Sequence, residues 1–226
     1  MFALIFGGLI LLVLLLGPQL WTKAVLSKHD KDRPDCPGTG GELAEHLVQQ
    51  FGLQDVAVER LPGDGDHYDP EARAIRLSPR VHDGRSVTAI TVAAHEFGHA
   101  LQHHEHHAGL LRRGVLVKQA MWIDRIGGLI LMAASFMVFM PATRGLGLIV
   151  LIAGVGMSMV RVLVHLVTLP VELDASFNKA LPILEKHGYL PKEEMPAARH
   201  ILRACAGTYV AASLWSLLNL IRWIRR

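Results

Sequence analysis

The chain has 226 residues, enough for one domain or one with an addition, and 51% of it is hydrophobic against 19% charged. That balance excludes a disordered or low-complexity polypeptide and argues against a purely water-soluble globule, where about 25% charge is usual. The net charge of +3 comes from basic residues scattered among acids, not gathered with aromatics in one patch, so nucleic-acid binding is not indicated. The charges are unevenly placed: residues 1–22 and 204–221 carry none, and 126–160 carry only Arg144. The sequence reads as a polar region threaded through a membrane anchor.

Taken in chain order, Phe2 to Leu16 is almost wholly aliphatic and stays uncharged to Trp21. About 20 residues at 1.5 Å each span a bilayer core of about 30 Å, so 1–22 is expected to be an N-terminal transmembrane anchor. Trp21 and Lys23 then suit the interface. The segment lacks a basic start, and Gly17-Pro18-Gln19-Leu20 makes a poor cleavage site, which argues against a removed signal peptide.

Residues 23–125 are polar. The apolar spacing of Leu43, Leu47, Val48 and Phe51 predicts a helix over 42–51, with Gly52 as its stop. Val56 to Arg60 predicts a short strand, and Leu61 to Asp66 a turn cluster. Ala74 to Ser78 alternates like a second strand, at a sheet edge. Ser86 is placed to cap a helix running to about His107. Cys36 and Cys205 are far apart and suggest neither a disulfide framework nor a cysteine metal site.

Residues 126–143 and 145–167 are two apolar stretches broken by Pro141 to Gly145. They predict a transmembrane hairpin over 126–167, whose Gly127, Gly128, Gly147, Gly154 and Gly156 would admit close helix approach. Arg161 and His165 would snorkel together toward the interface. Residues 168–203 are polar again, and 204–226 forms a fourth apolar segment with a basic tail, its spanning reading competing with an interfacial one. Basic residues near the crossings (Lys23, Lys28, Lys31 and Arg33; Arg112, Arg113, Lys118 and Arg125) put the polar regions on the cytoplasmic side.

The chemistry sits on the long polar helix, in His95-Glu96-Phe97-Gly98-His99. Histidines at i and i+4 project from one helix face and can share a zinc ion. The glutamate following the first is placed to take a proton from a zinc-activated water. Gly98 costs roughly 1 kcal/mol of helix stability against alanine but leaves space beside a metal. His103 cannot join the other two, because a straight helix spreads His95, His99 and His103 over about 12 Å. The histidines at 103, 104, 106 and 107 read as a solvated helix end with an accessory metal-binding role as the weaker alternative. Gln102 and Glu105 occupy the positions at which a continued motif would carry glycine and a third histidine, so a His-x-x-Gly-x-x-His continuation is excluded.

A catalytic zinc site needs a third protein ligand. The hairpin returns the chain to the same side just before Thr168-Leu-Pro-Val-Glu172-Leu-Asp174. Pro170 suits a helix start, which would put Glu172 in the first turn and make it the best candidate; an ordinary helix-start carboxylate is the rival.

Asp66-His-Tyr-Asp-Pro70, Ile75-Arg-Leu-Ser78, Gly84-Arg-Ser86, Ala93-Ala-His-Glu-Phe-Gly-His-Ala-Leu-Gln102, Thr168-Leu-Pro-Val-Glu-Leu-Asp-Ala-Ser176 and Thr208-Tyr-Val-Ala-Ala212 together resemble the YugP-type membrane zinc metallopeptidases, the neutral zinc metallopeptidase 2 family. The resemblance implies a membrane-bound zinc peptidase in a bacterial inner (cell) membrane, with His95 and His99 as ligands and Glu96 as base. The segment from Glu172 is also similar to the Glu-x-x-Ala-Asp third-ligand motif of the HtpX and Ste24 peptidases, with Ser176 in place of the aspartate. That supports Glu172 as ligand and leaves Asp174 and Asn178 as candidates for orienting a histidine.

The expectation is a mainly α integral membrane protein, about four transmembrane helices with a small α+β zincin-like (gluzincin-like, HExxH) catalytic domain. It would be a hydrolase that takes a polypeptide substrate and cleaves peptide bonds with zinc-activated water and Glu96 as general base. His67, Tyr68, His165 and Tyr189 are unranked candidates for stabilising the oxyanion. The 74–78 strand would pair with an extended substrate. The alternatives are a zinc transporter or metal-sensing membrane protein loading at the histidine-rich stretch, or a catalytically silent zinc-stabilised scaffold. Retention of Glu96 argues against the scaffold, and near absence of ionisable residues in the spans argues against transport.

Overall fold

The structure, a computed structural model, describes residues 17–34 and 36–207. The first apolar run before Gly17 and the last from residue 208 onward lie outside the described residues, so the expected first and fourth spans are not addressed by it. What is described is mostly helical, with one three-stranded sheet. It divides into two compact units.

One unit comprises Gly17–Leu111 with the described part of Pro170–Thr208. It begins with α1 (residues 17–28) and continues into α2 (Gly40–Gln50). The start of α2 is fixed by a reciprocal cap: Glu42 N–H donates to Thr39 Oγ1 at 3.2 Å, and Thr39 N–H donates to Glu42 Oε2 at 2.7 Å. Strands β1 (Ala57–Arg60), β2 (His67–Asp69) and β3 (Ala74–Leu77) follow. Their order is β1-β3-β2, with β1 parallel and β2 antiparallel to β3. Residues 67–69 add a strand, paired with 74–76, and one expectation is corrected here. The 74–78 strand is not at an edge; it is central, so both its backbone edges are already bonded and cannot receive a substrate.

A short α3 (Pro79–His82) leads to α4 (Val87–His104). The Oγ of Ser86 accepts from Ala89 N–H at 3.0 Å, as the sequence suggests. The helix stops at Glu105, short of His107, and His106 takes a left-handed φ of 54°. Unlike a surface helix with one apolar stripe, α4 is buried nearly all round. Phe97 packs with Leu47, Leu53, Ile75, Leu77 and Leu184 in one core.

The chain re-enters this unit through the end of α6 (Arg144–Leu173), which passes directly into a seven-residue π-helix, Asp174–Ala180. Pro170 therefore does not begin a helix but lies inside one, and Glu172 is in the last turn of α6, not a first turn. Proline lacks the N–H for a bond four residues back, and the change to π geometry follows at once, so the run alters its winding instead of restarting. α7 (Leu181–His187), a 3₁₀ turn (Lys192–Glu194) and α8 (residues 195–207) complete the unit. Cys36 and Cys205 are not joined in a disulfide.

The other unit contains Arg112–Leu169, an antiparallel hairpin made of most of α5 (Ala108–Phe139) and α6. Its turn is tied by Thr143 Oγ1, which donates to Met137 O at 2.9 Å. Gly147 and Gly154 lie at the helix contact, where a Cβ would come within 2.8 Å of Val138 N and 2.7 Å of Leu131 Cδ2. Gly128 and Gly156 face open space. Phe136, Phe139 and Ile152 are more than 70% exposed. Among the described residues one helix, Ala108–Phe139, is long and apolar enough to cross a membrane, and Arg144–Met157 is a shorter apolar stretch. The side chains of Arg161 and His165 lie outside the description.

Candidate metal centre

α4 carries His95 and His99 on one face, and the end of α6 brings Glu172 to them. Glu172 Oε2 lies 3.4 Å from His95 Nε2 and 3.3 Å from His99 Nε2. One ligand atom from each residue lies within 4.8 Å of the others, and all three residues are buried. This is the only group of its kind among the described residues, so the histidines at 103, 104, 106 and 107 form no second one. Donor atoms bound to one zinc at about 2.05 Å in tetrahedral directions stand about 3.3 Å apart, which the two measured separations match. Two imidazoles and a carboxylate are a donor set zinc accepts, with room for a fourth position. The residues fit the ion.

The fit extends to the far side of each ring. His95 Nδ1 is 3.1 Å from Ser176 Oγ, and His99 Nδ1 donates to Gln102 Oε1 at 2.9 Å. With their Nδ1 atoms so engaged, both rings turn Nε2 toward Glu172. Asp174 and Asn178 do not touch a ligand histidine. Asp174 Oδ2 accepts from Gln102 Nε2 at 2.7 Å, and Asn178 Nδ2 donates to Asp174 Oδ1 at 2.8 Å. Sequence reasoning noted Gln102 only as a departure from a longer motif and Ser176 only as a missing aspartate. The Ser176–His95 contact was hidden because it depends on how the π-helix lies on α4; the Gln102–His99 contact joins residues one turn apart on α4 itself.

Gly98 is the point of closest approach. A Cβ there would lie 2.6 Å from Ala175 O, so the absence of a side chain lets the π-helix rest directly on α4. Glu96 is 7% exposed beside the cluster. Burial pushes its carboxyl up to about 7, with the Glu172 and Asp66 carboxylates adding to the effect, while His95 and the Tyr68 backbone N–H oppose it. Strand β2 thus reaches Glu96 through the Tyr68 backbone.

The oxyanion candidates separate. The Tyr68 hydroxyl is engaged with His103 Nδ1 at 2.7 Å and borders a cavity of about 330 Å³ shared with Asp55, Arg73, His104 and His106. His67 Nδ1 bonds Gly65 O at 2.7 Å, and Tyr189 donates to Gln50 Oε1 at 2.9 Å. Glu105 pairs with Lys179. None of these side chains joins the His95–His99–Glu172 group.

Two helix-borne histidines and a distant glutamate thus gather around one buried point, with a buried carboxyl beside it, an arrangement that could hold a metal ion. The chain belongs to the family described as "Putative neutral zinc metallopeptidase", which it matches over residues 4–226. It is 36% identical over 214 residues to a Bacillus subtilis (strain 168) protein, "Putative membrane protease YugP", covering 92% of this chain and 91% of that one. No solved structure matches it.

Proposed function

We propose that this chain is a membrane-bound zinc-dependent endopeptidase in which His95, His99 and Glu172 hold the ion and Glu96 is the general base. The observation that carries the reading is the convergence of two imidazole Nε2 atoms and one carboxylate oxygen at separations of 3.3 and 3.4 Å, with Glu96 buried alongside. A zinc ion held there supplies a Lewis acid and lowers the pKa of water to about 7. Glu96 takes a proton from the attacking water and returns it to the leaving amine. The Tyr68 N–H keeps the Glu96 carboxylate aimed. The substrate is an extended polypeptide, soluble or membrane-embedded.

Residues 1–22, 126–167 and 204–226 are proposed to lie in the membrane, while 23–125 and 168–203 carry the site on the cytoplasmic face of a bacterial inner membrane. The exposed apolar surface of the hairpin supports this, since patches of that size need an apolar partner. The test is Glu96→Gln in the purified full chain, with an unfolded protein as substrate. Cleavage should fall by 10²-fold or more, about the contribution of a positioned base, while zinc content stays unchanged. Equal cleavage by both proteins overturns the reading.

A further inference from the structure

We propose that Gln102 is a positioning residue for two of the three metal ligands at once, holding the ring of His99 through its oxygen and the placement of Glu172 through its nitrogen. The inference rests on the zinc reading above. Gln102 is fully buried, and its amide is bonded on every side. Its Nε2 donates to Val171 O at 2.9 Å and to Asp174 Oδ2 at 2.7 Å, using both amide hydrogens. Val171 and Asp174 stand on either side of Glu172, so one amide grips the chain before and after that ligand. A carbonyl and a carboxylate can only accept, so the amide nitrogen must face them and Oε1 must face His99. An oxygen there can only accept in turn, which places the proton of His99 on Nδ1 and leaves Nε2 as the coordinating atom.

The arrangement explains a glutamine in this position. An apolar side chain would leave the Val171 carbonyl and His99 Nδ1 without their partner inside the core, at the cost of unsatisfied buried groups. A glutamate would offer His99 an oxygen but nothing to Val171, and it would face Asp174 with like charge. Only an amide donates to one strand of the site while accepting from the other. His95 has no such link to the third ligand, since its partner is Ser176.

The experiment compares Gln102→Leu, Gln102→Glu and the control Thr91→Val in the full chain. Thr91 is on the same helix, fully buried, with a hydroxyl that has no hydrogen-bond partner among the described residues, so its replacement by a near-isostere breaks no bond of the site. Zinc affinity is read by competition with a chromophoric chelator, and ligand geometry by the visible absorption of the cobalt-loaded protein. Both Gln102 variants should lose about 10- to 100-fold in zinc affinity, the usual effect of losing a group that orients a ligand, and should show an altered cobalt spectrum. Thr91→Val should match the unmodified chain in both. If either Gln102 variant keeps affinity within about twofold, well short of that effect, with the same cobalt spectrum, the inference is overturned. Gln102→Glu keeps the side-chain size and serves if Gln102→Leu fails to fold. Absence of zinc uptake by the unmodified chain overturns the zinc reading itself, which distinguishes the two failures.

Discussion

At the scale of single residues, the two candidate ligand histidines have partners of unequal reach. His99 is held by an amide that is itself fixed by two further bonds, whereas His95 meets one neutral hydroxyl, Ser176 Oγ, at 3.1 Å. A neutral hydrogen bond contributes about 1 kcal/mol, and Ser176 anchors nothing beyond its own turn of the π-helix. Ser176→Ala is therefore expected to lower zinc affinity about tenfold or less, a smaller loss than either Gln102 variant, as read by the same chelator competition. A larger loss from Ser176 than from Gln102 would reverse the proposed ranking of the two supports. The comparison also tests the meaning of a serine where the HtpX-like motif carries aspartate. In this structure the serine does reach the ring of His95, without adding a charge to a buried site.

At the scale of elements, the site depends on how closely the π-helix lies on α4. A π segment is rare and concentrates at functional sites, and here it follows the proposed ligand Glu172 by one residue. Gly98 makes the approach feasible. Alanine is the better helix former by roughly 1 kcal/mol, so a local view predicts that Gly98→Ala stabilises α4. The packing predicts otherwise, because a Cβ 2.6 Å from Ala175 O forces the backbone of the π-helix away, and such overpacking costs about 1–3 kcal/mol. Gly98→Ala should keep its helical circular dichroism yet lose about tenfold or more in zinc affinity, the range seen when ligand supports are displaced. Unchanged affinity would show that the contact yields without moving Glu172.

Much of this was legible in the sequence, and the gaps have physical causes. The cap at Ser86, the α2 periodicity and the spacing of His95 and His99 are local signals, set by residues within a turn or two of one another. Glu172 was reachable because a carboxylate beside a hairpin exit on the motif's side has few rivals. Strand 67–69 was ambiguous, since three residues among turn formers have no alternation to read, and only pairing with 74–76 makes them a strand. That pairing moved the sheet edge from 74–78 to β2. The continuation of α6 past Pro170 into π geometry was hidden because proline ordinarily marks a boundary. Two of the three bonds of Gln102 were invisible because they span 69 and 72 residues of sequence; only the one to His99 lies within its own turn.

At the scale of the whole molecule, the order of ligands along the chain constrains topology. His95 and His99 precede the apolar hairpin and Glu172 follows it, so they meet only if 112–169 crosses the membrane an even number of times. The hairpin has two limbs joined by one turn, which satisfies that parity. The proposed orientation, argued from the basic residues flanking the entry at Arg112, Arg113 and Lys118, has both polar regions in the cytoplasm and the turn around Thr143 outside. Reporters inserted at Gly63, Thr143 and Gly188 test the arrangement. Gly63 lies in a turn between strands, where an added Cβ would meet nothing, and Gly188 ends α7 in a left-handed conformation, so both are loop positions able to accept an insertion. A fluorescent protein active only in the cytoplasm should report from Gly63 and Gly188, and a phosphatase active only outside should report from Thr143. Opposite signals from Gly63 and Gly188 would separate Glu172 from its histidines by a bilayer and overturn the site. Like signals from those two with the reverse polarity would keep the site and overturn only its cytoplasmic orientation.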